Sequence, residues 1–139
     1  MSDVLNKADL LVDASYAELE KVLDFVSDAA RGACFSKEST AELAIAVEEI
    51  FTNICKYAYE DVDGEARIIC LAEPGQIRGD LIDSGKAFDP TAHADPDANL
   101  ATKDRKPGGL GVFIAKKLVM SMTYERVDGQ NRLTLIKEG

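Results

Sequence analysis

Ala44-Ile45-Ala46-Val47-Glu48-Glu49-Ile50-Phe51-Thr52-Asn53 is the stretch on which the reading of the whole chain turns. Leu43, Val47, Ile50 and Ile54 recur at three- and four-residue steps with Phe51 beside them, which predicts a helix with that face in the core. Glu49 and Asn53 stand four apart, one above the other on a different face, and Glu42 and Lys56 fall on their stripe. Ser39 or Thr40 can cap this helix, which runs to about Tyr59. A carboxylate there can accept a proton or hold a water, and an Asn oxygen is a suitable hard ligand for Mg²⁺. An ordinary solvated helix face has the same make-up.

On the N-terminal side, Asp9 to Val12 and Asp13 suggest an opening strand, and Leu19, Val22, Leu23, Val26 and Ala30 predict a helix from about Tyr16 to Arg31, with Gly32 where it stops. On the C-terminal side, Asp61-Val62-Asp63-Gly64 reads as a turn. Strands over Ala66 to Ala72 and Ile77 to Ile82 follow, joined in a hairpin at Pro74-Gly75. From Ser84 to Pro107 prolines, aspartates and a few basic residues replace periodic hydrophobics, and a long loop of this kind is often a functional lid (about 86–108). Gly108 to Met120 returns to helix spacing, and Met122 to Val127 with Arg132 to Lys137 form a second hairpin around Asp128-Gly129. The order predicts an α+β fold, a two-layer α/β sandwich with three helices on one face of a mixed, mostly antiparallel sheet.

The length of 139 residues fits a single domain, 1–139, able to bury a core without staples, and 46% hydrophobic residues suit a folded protein. No apolar run approaches a membrane span and the N-terminus does not read as a signal peptide, so a cytoplasmic protein with no membrane contact is expected. A net charge of −9 argues against direct nucleic-acid binding and suits a basic protein partner or a local basic site on an acidic body. Cys34, Cys55 and Cys70 give neither a disulfide framework nor a zinc pattern and read as small apolar residues.

Two further motifs carry chemistry. Asp83-Ser84-Gly85 ends a strand, where a carboxylate can accept from an exocyclic amine such as that of adenine and a glycine lets backbone approach a flat ring; a plain turn has the same composition. Gly108-Gly109-Leu110-Gly111 opens a helix, where exposed N–H groups and the helix dipole favour an anion such as phosphate, or where the glycines simply make a flexible joint. It is neither a Walker A motif nor a dinucleotide fingerprint. His93, the one histidine, reads as an exposed loop residue.

Taken together, in this order and spacing, the three motifs resemble those of the Bergerat-fold ATPases, called GHKL, and within them the short anti-sigma-factor serine kinases. The resemblance lies in Glu49 and Asn53 within Ala44 to Asn53, then Asp83 and Gly85, then a lid, then Gly109 and Gly111 within Gly108 to Ala115, and it extends to the closing strand. Sensor histidine kinases share this nucleotide pocket but need a separate His-bearing dimerisation helix, which is not read here. Relatives often carry a His four residues after the Asn; this chain has Tyr57.

The resemblance implies ATP and Mg²⁺ as ligands and gives each residue a role. Asn53 coordinates the metal, Asp83 reads the adenine amine, and Gly85 lets the base lie flat. Gly108, Gly109, Leu110 and Gly111 receive the phosphates, and Glu49 is the general base. Of the lid cations Lys103, Arg105 and Lys106, Arg105 is the one assigned to the nucleotide, by folding over the γ-phosphate. Thr134 either bonds near the nucleotide or is an ordinary strand residue. The implied function is an ATP-dependent serine/threonine kinase that phosphorylates a STAS-type anti-anti-sigma protein and sequesters a sigma factor, as a homodimer. The alternative is a non-catalytic nucleotide-gated binding module. A plain scaffold without nucleotide leaves the joint order of the motifs unexplained.

Overall fold

The computed structural model describes residues 6–59, 62–93 and 109–139. Strand β1 (Asn6–Asp13) leads through a short 3-10 turn (Tyr16–Glu18) into helix α1 (Leu19–Gly32) and helix α2 (Lys37–Tyr57). The hairpin β2 (Glu65–Glu73) and β3 (Gln76–Asp83) follows, then a 3-10 turn (Pro90–His93), helix α3 (Gly109–Leu118) and the hairpin β4 (Ser121–Val127) and β5 (Gln130–Glu138). The sheet order is β1-β2-β3-β5-β4. All four neighbouring pairs are antiparallel, so among the described residues the sheet contains no parallel pair and the expectation of a mixed sheet is corrected. Among the described residues no helix is long and apolar enough to cross a membrane.

The period of two along β2 and β5 sorts the sheet into faces. Ala66, Ile68, Cys70 and Ala72 of β2, with Leu133 and Leu135 of β5, are buried against the helices, which contribute Val22, Val26, Leu43, Val47, Ile50, Phe51, Val112 and Ala115 to one core. Small residues, Ala30, Ala46 and Ala115 among them, are fully buried, which lets the helix layer approach the sheet closely. The other face of the sheet carries polar ladders. Arg67 bonds Asp9 (3.3 Å), and Asp80, though only 4% exposed, is enclosed by Arg78 (3.4 Å), Thr134 (2.6 Å) and Arg132 (3.8 Å).

Several boundaries differ from the sequence expectation, each for a local reason. Helix α2 is capped by Ser36, whose hydroxyl accepts from the Ser39 N–H (3.0 Å); Ser39 and Thr40 lie inside the first turn. Helix α1 ends at Gly32, but the left-handed residue that closes it is Cys34 (φ 63°). Cys34 N–H donates to Arg31 O and Phe35 N–H to Ala30 O, both at 3.0 Å, which is a Schellman closure. Cys34 is therefore exposed rather than a packed apolar residue. Cys70 and Cys55 fit the expectation better: burial pushes their thiols up to about 12 and about 11. The two hairpins form where expected, with Gly75 (φ 73°) in one turn and Asp128 and Gly129 (φ 52° and 77°) in the other, the paired positive angles of a type I′ turn.

Candidate functional site

Helix α2 and strand β3 bring the first two motifs together. Asn53 is only 7% exposed, so it is not part of a solvated face, and its amide nitrogen has no hydrogen-bond partner among the described residues. Asp83, at the end of β3, is 5% exposed. Both line a cavity between α2, the helix-facing side of β3 and β5, and the segment after β3, together with Ile50, Ala58, Leu81, Phe88 and Leu133. A buried amide without a partner is costly to keep unless a ligand or water completes it.

The Asp83 carboxylate is held on one side. Its Oδ1 accepts from Gly85 N–H and from Asn131 Nδ2, both at 2.9 Å. Asp83 and Asn131 are direct register partners across β3 and β5. Burial raises the Asp83 carboxyl above its ordinary range, and the bonds from Asn131 and Gly85 and the charge of Arg126 pull it partly back. Asn131 also donates to Lys86 O (2.8 Å) and accepts from Tyr124 OH (2.5 Å), Arg126 Nη1 (3.1 Å) and Phe88 N–H (3.3 Å). Sequence reasoning missed this residue. Its one signal is the register: β5 paired with β3 places a polar side chain opposite Asp83 on the buried face.

Glycine 85 has a different use from the one expected. A side chain there would meet Ala58 O at 2.2 Å, and the Lys86 N–H donates to the same carbonyl (2.9 Å), so Gly85 lets the segment after β3 seat on the end of α2. Tyr57, the departure noted above, packs its ring against Phe88 with centroids 5.6 Å apart. Phe88 and Pro90 thereby fill the space beside Asp83, and the cavity measures about 30 Å³, room for a single water. A purine would enter this site only after that segment moves outward.

The third motif meets the first. Helix α3 starts at Gly109, and a side chain on Gly111 would meet Glu49 Oε2 at 2.0 Å, so the Glu49 carboxylate lies against the first turn of α3. Backbone N–H groups of that turn have no intrahelical acceptor and suit an anion. Glu49, Asn53, Asp83 and Gly111 are thus placed along one side of α2 by three different elements.

Other expected residues fall elsewhere. Thr134 sits on the face of β5 opposite Asn131, where its hydroxyl donates to Asp80, because a shift of three residues along a strand reverses the face. It is not part of the gathered site. Glu42 pairs with Lys137 of β5 (3.0 Å) and ties α2 to the sheet. Lys103, Arg105, Lys106 and Gly108 lie outside the described residues, and the backbone of Gly109 and Leu110 forms the start of α3. His93 ends the turn at Pro90–His93.

The residues present fit a divalent cation held with a phosphate ligand. Mg²⁺ takes few protein ligands, keeping waters and substrate oxygens, and Asn53 offers a buried amide one helical turn along α2 from Glu49.

Comparison with known proteins bears on the fold as a whole. A family model described as "Histidine kinase-like ATPase domain" matches residues 12–137. The serine/threonine-protein kinase BtrW of Bordetella bronchiseptica is 29% identical over 94 residues, 67% of this chain and 66% of that relative's length. A crystal structure of the RsbU and RsbW domains of Rv1364c from Mycobacterium tuberculosis superposes with a TM-score of 0.67 at 18% identity, covering 96% of this chain and 32% of that one.

Proposed function

Since this chain belongs to the histidine kinase-like ATPase domain family, we propose that it binds Mg-ATP between α2, β3, β5 and the start of α3, and transfers the γ-phosphoryl group to a serine or threonine of a STAS-type anti-anti-sigma protein. In the same reading it sequesters a sigma factor, acts as a homodimer and works in the cytoplasm. The observation that carries the proposal is that Asn53 and Asp83 line one buried pocket while Glu49, one helical turn before Asn53 on α2, lies against Gly111 in the first turn of α3. The likeness to a relative named as a serine/threonine-protein kinase supports the choice of acceptor.

Each residue then has a physical task. Asp83 accepts a hydrogen bond from the adenine amine. The N–H groups of Gly109, Leu110 and Gly111, preceded by Gly108, face the phosphates, and Arg105 neutralises the γ-phosphoryl group. Asn53 holds Mg²⁺, which supplies charge neutralisation at the phosphate oxygens. Glu49 takes the proton of the acceptor hydroxyl as that oxygen bonds to phosphorus; the bond from phosphorus to the bridging oxygen breaks and ADP leaves with its electron pair.

Calorimetric and thermal-shift titrations with ATP and ADP, with and without Mg²⁺, test the first half. Ligand at a hundredfold excess over Kd should stabilise the fold by about 2.7 kcal/mol. No shift, in protein free of copurified nucleotide, would end the proposal. Incubation with STAS partners and labelled ATP tests the second half: Glu49→Ala should abolish transfer and spare binding. Binding without transfer by the unaltered chain would leave the non-catalytic, nucleotide-gated module.

A further inference from the structure

We propose that Asn131 is the positioning residue of the base site, setting Asp83 to accept from a 6-amino purine and to reject a 6-oxo purine. This rests on the nucleotide reading above and goes beyond it by naming what selects the base. Asn131 is 5% exposed and all of its amide capacity on the oxygen side is taken by donors: Tyr124 OH, Arg126 Nη1 and Phe88 N–H. Tyr124 and Arg126, both on β4, fix the orientation of the amide even when the segment carrying Phe88 moves outward, because rotating it by half a turn would set its NH₂ against their donors. The nitrogen must therefore face Asp83 Oδ1 and Lys86 O, as it does at 2.9 and 2.8 Å.

The consequence falls on Asp83. Its Oδ1 takes both of its protein bonds, from Asn131 and from Gly85, and Oδ2 is left as the oxygen with no described donor, in a side chain that lines the cavity. Burial favours protonation of this carboxyl and the two donors on Oδ1 oppose it; in the ionised form they help to hold, Oδ2 is an acceptor and nothing else. An exocyclic amine satisfies it; a ring carbonyl opposes it with a second acceptor. Without the Asn131 donor the buried carboxyl takes up a proton more readily, and a protonated carboxyl can donate to a carbonyl. Selection for the amine then falls, even where overall affinity changes little.

The test uses the full chain and measures binding of ATP and inosine triphosphate in the presence of Mg²⁺. The unaltered chain should prefer ATP by about tenfold or more, the discrimination of one buried hydrogen bond to a charged group. Asn131→Ala should bring the ratio to within about threefold, roughly what is left when that bond no longer discriminates. Asn131→Asp keeps an acceptor for Tyr124, Arg126 and Phe88, removes the NH₂ that donates to Asp83 and Lys86 O, and sets a second carboxyl beside Asp83 that favours its protonation further, so it carries the same expectation if the alanine variant does not fold. A ratio unchanged in a folded variant overturns the proposal, since a merely structural role lowers both affinities together. Equal binding of the two nucleotides by the unaltered chain also overturns it. Binding of neither nucleotide by the unaltered chain is a different failure, that of the nucleotide reading itself.

Discussion

The Glu49 carboxylate occupies the space that a side chain on Gly111 would need: a β-carbon at position 111 would lie 2.0 Å from Glu49 Oε2. Two residues from separate helices, 62 positions apart in the sequence (111 − 49), are thus fitted to each other atom against atom.

Gly111→Ala should destabilise the chain by about 1–3 kcal/mol through overpacking against Glu49, despite the better helix propensity of alanine. In a Glu49→Ala background the same substitution should cost close to nothing or stabilise. A double-mutant cycle by urea unfolding reads the coupling directly, and additive effects would show that the two side chains do not compete for one space.

Asp83→Asn should remove nucleotide binding and yet raise fold stability at neutral pH. The Asp83 carboxyl is raised by burial, so between its unfolded and folded values the native state holds the extra proton. Stability of the unaltered chain therefore falls as pH rises through that window. The asparagine has no charge to bury and can still accept from Gly85 and Asn131 through its oxygen. The advantage of the variant should be absent at acid pH, grow upward from the ordinary carboxylate range, and level off above the raised value. Denaturation midpoints across pH, compared between the two proteins, decide it; an advantage that shrinks with rising pH has the wrong sign.

Glu42→Ala and Asp28→Ala remove ion pairs of similar length with different surroundings. The Lys137 side chain is 11% exposed and would be left without its partner, whereas Arg31 and Asp28 are 64% and 75% exposed. The first substitution should cost about 1–2 kcal/mol and respond weakly to salt; the second should cost less than about 0.5 kcal/mol and vanish in high salt. Equal costs would mean that Lys137 finds another partner or reaches water.

Cys34→Gly should stabilise the chain by about 0.5–1 kcal/mol. The residue holds a left-handed angle that glycine adopts without strain, and its thiol is exposed. Thermal unfolding under reducing conditions measures this, and a lower midpoint would show that the cysteine side chain contributes a contact worth more than the strain.

Periodicity made the elements legible. The step pattern of Leu43, Val47, Ile50 and Ile54 marks the buried face of α2, and Asp128-Gly129 marks the last turn, because each depends on neighbours within a few residues. Glu49, Asn53 and Asp83 were also readable, since their types and spacing carry the motif. Asn131 was not: its importance comes from pairing β5 beside β3, a contact made across 48 residues. Thr134 was misplaced for the same reason, as the face a strand residue occupies depends on register, which β5 alone does not state. Ser36 was passed over in favour of Ser39 and Thr40 because all three are good caps and only the path of the chain out of α1 chooses among them.

The same long-range pairing sets a timetable for synthesis. Strands β1 and β3 both pair with β2 and can form once residue 83 has left the ribosome, but β3 is then an open edge and Asp83 faces its pocket without Asn131. Closing the loop to β5 is the costly step in chain entropy, and it waits until β5 has been made. A ribosome-bound chain stalled before residue 131 would therefore carry both helices α1 and α2 and most of the sheet, and still have no place for a ligand. On the reading proposed above, the base site is complete only once β5 lies beside β3, so a nascent chain could not draw on nucleotide before that pairing is made.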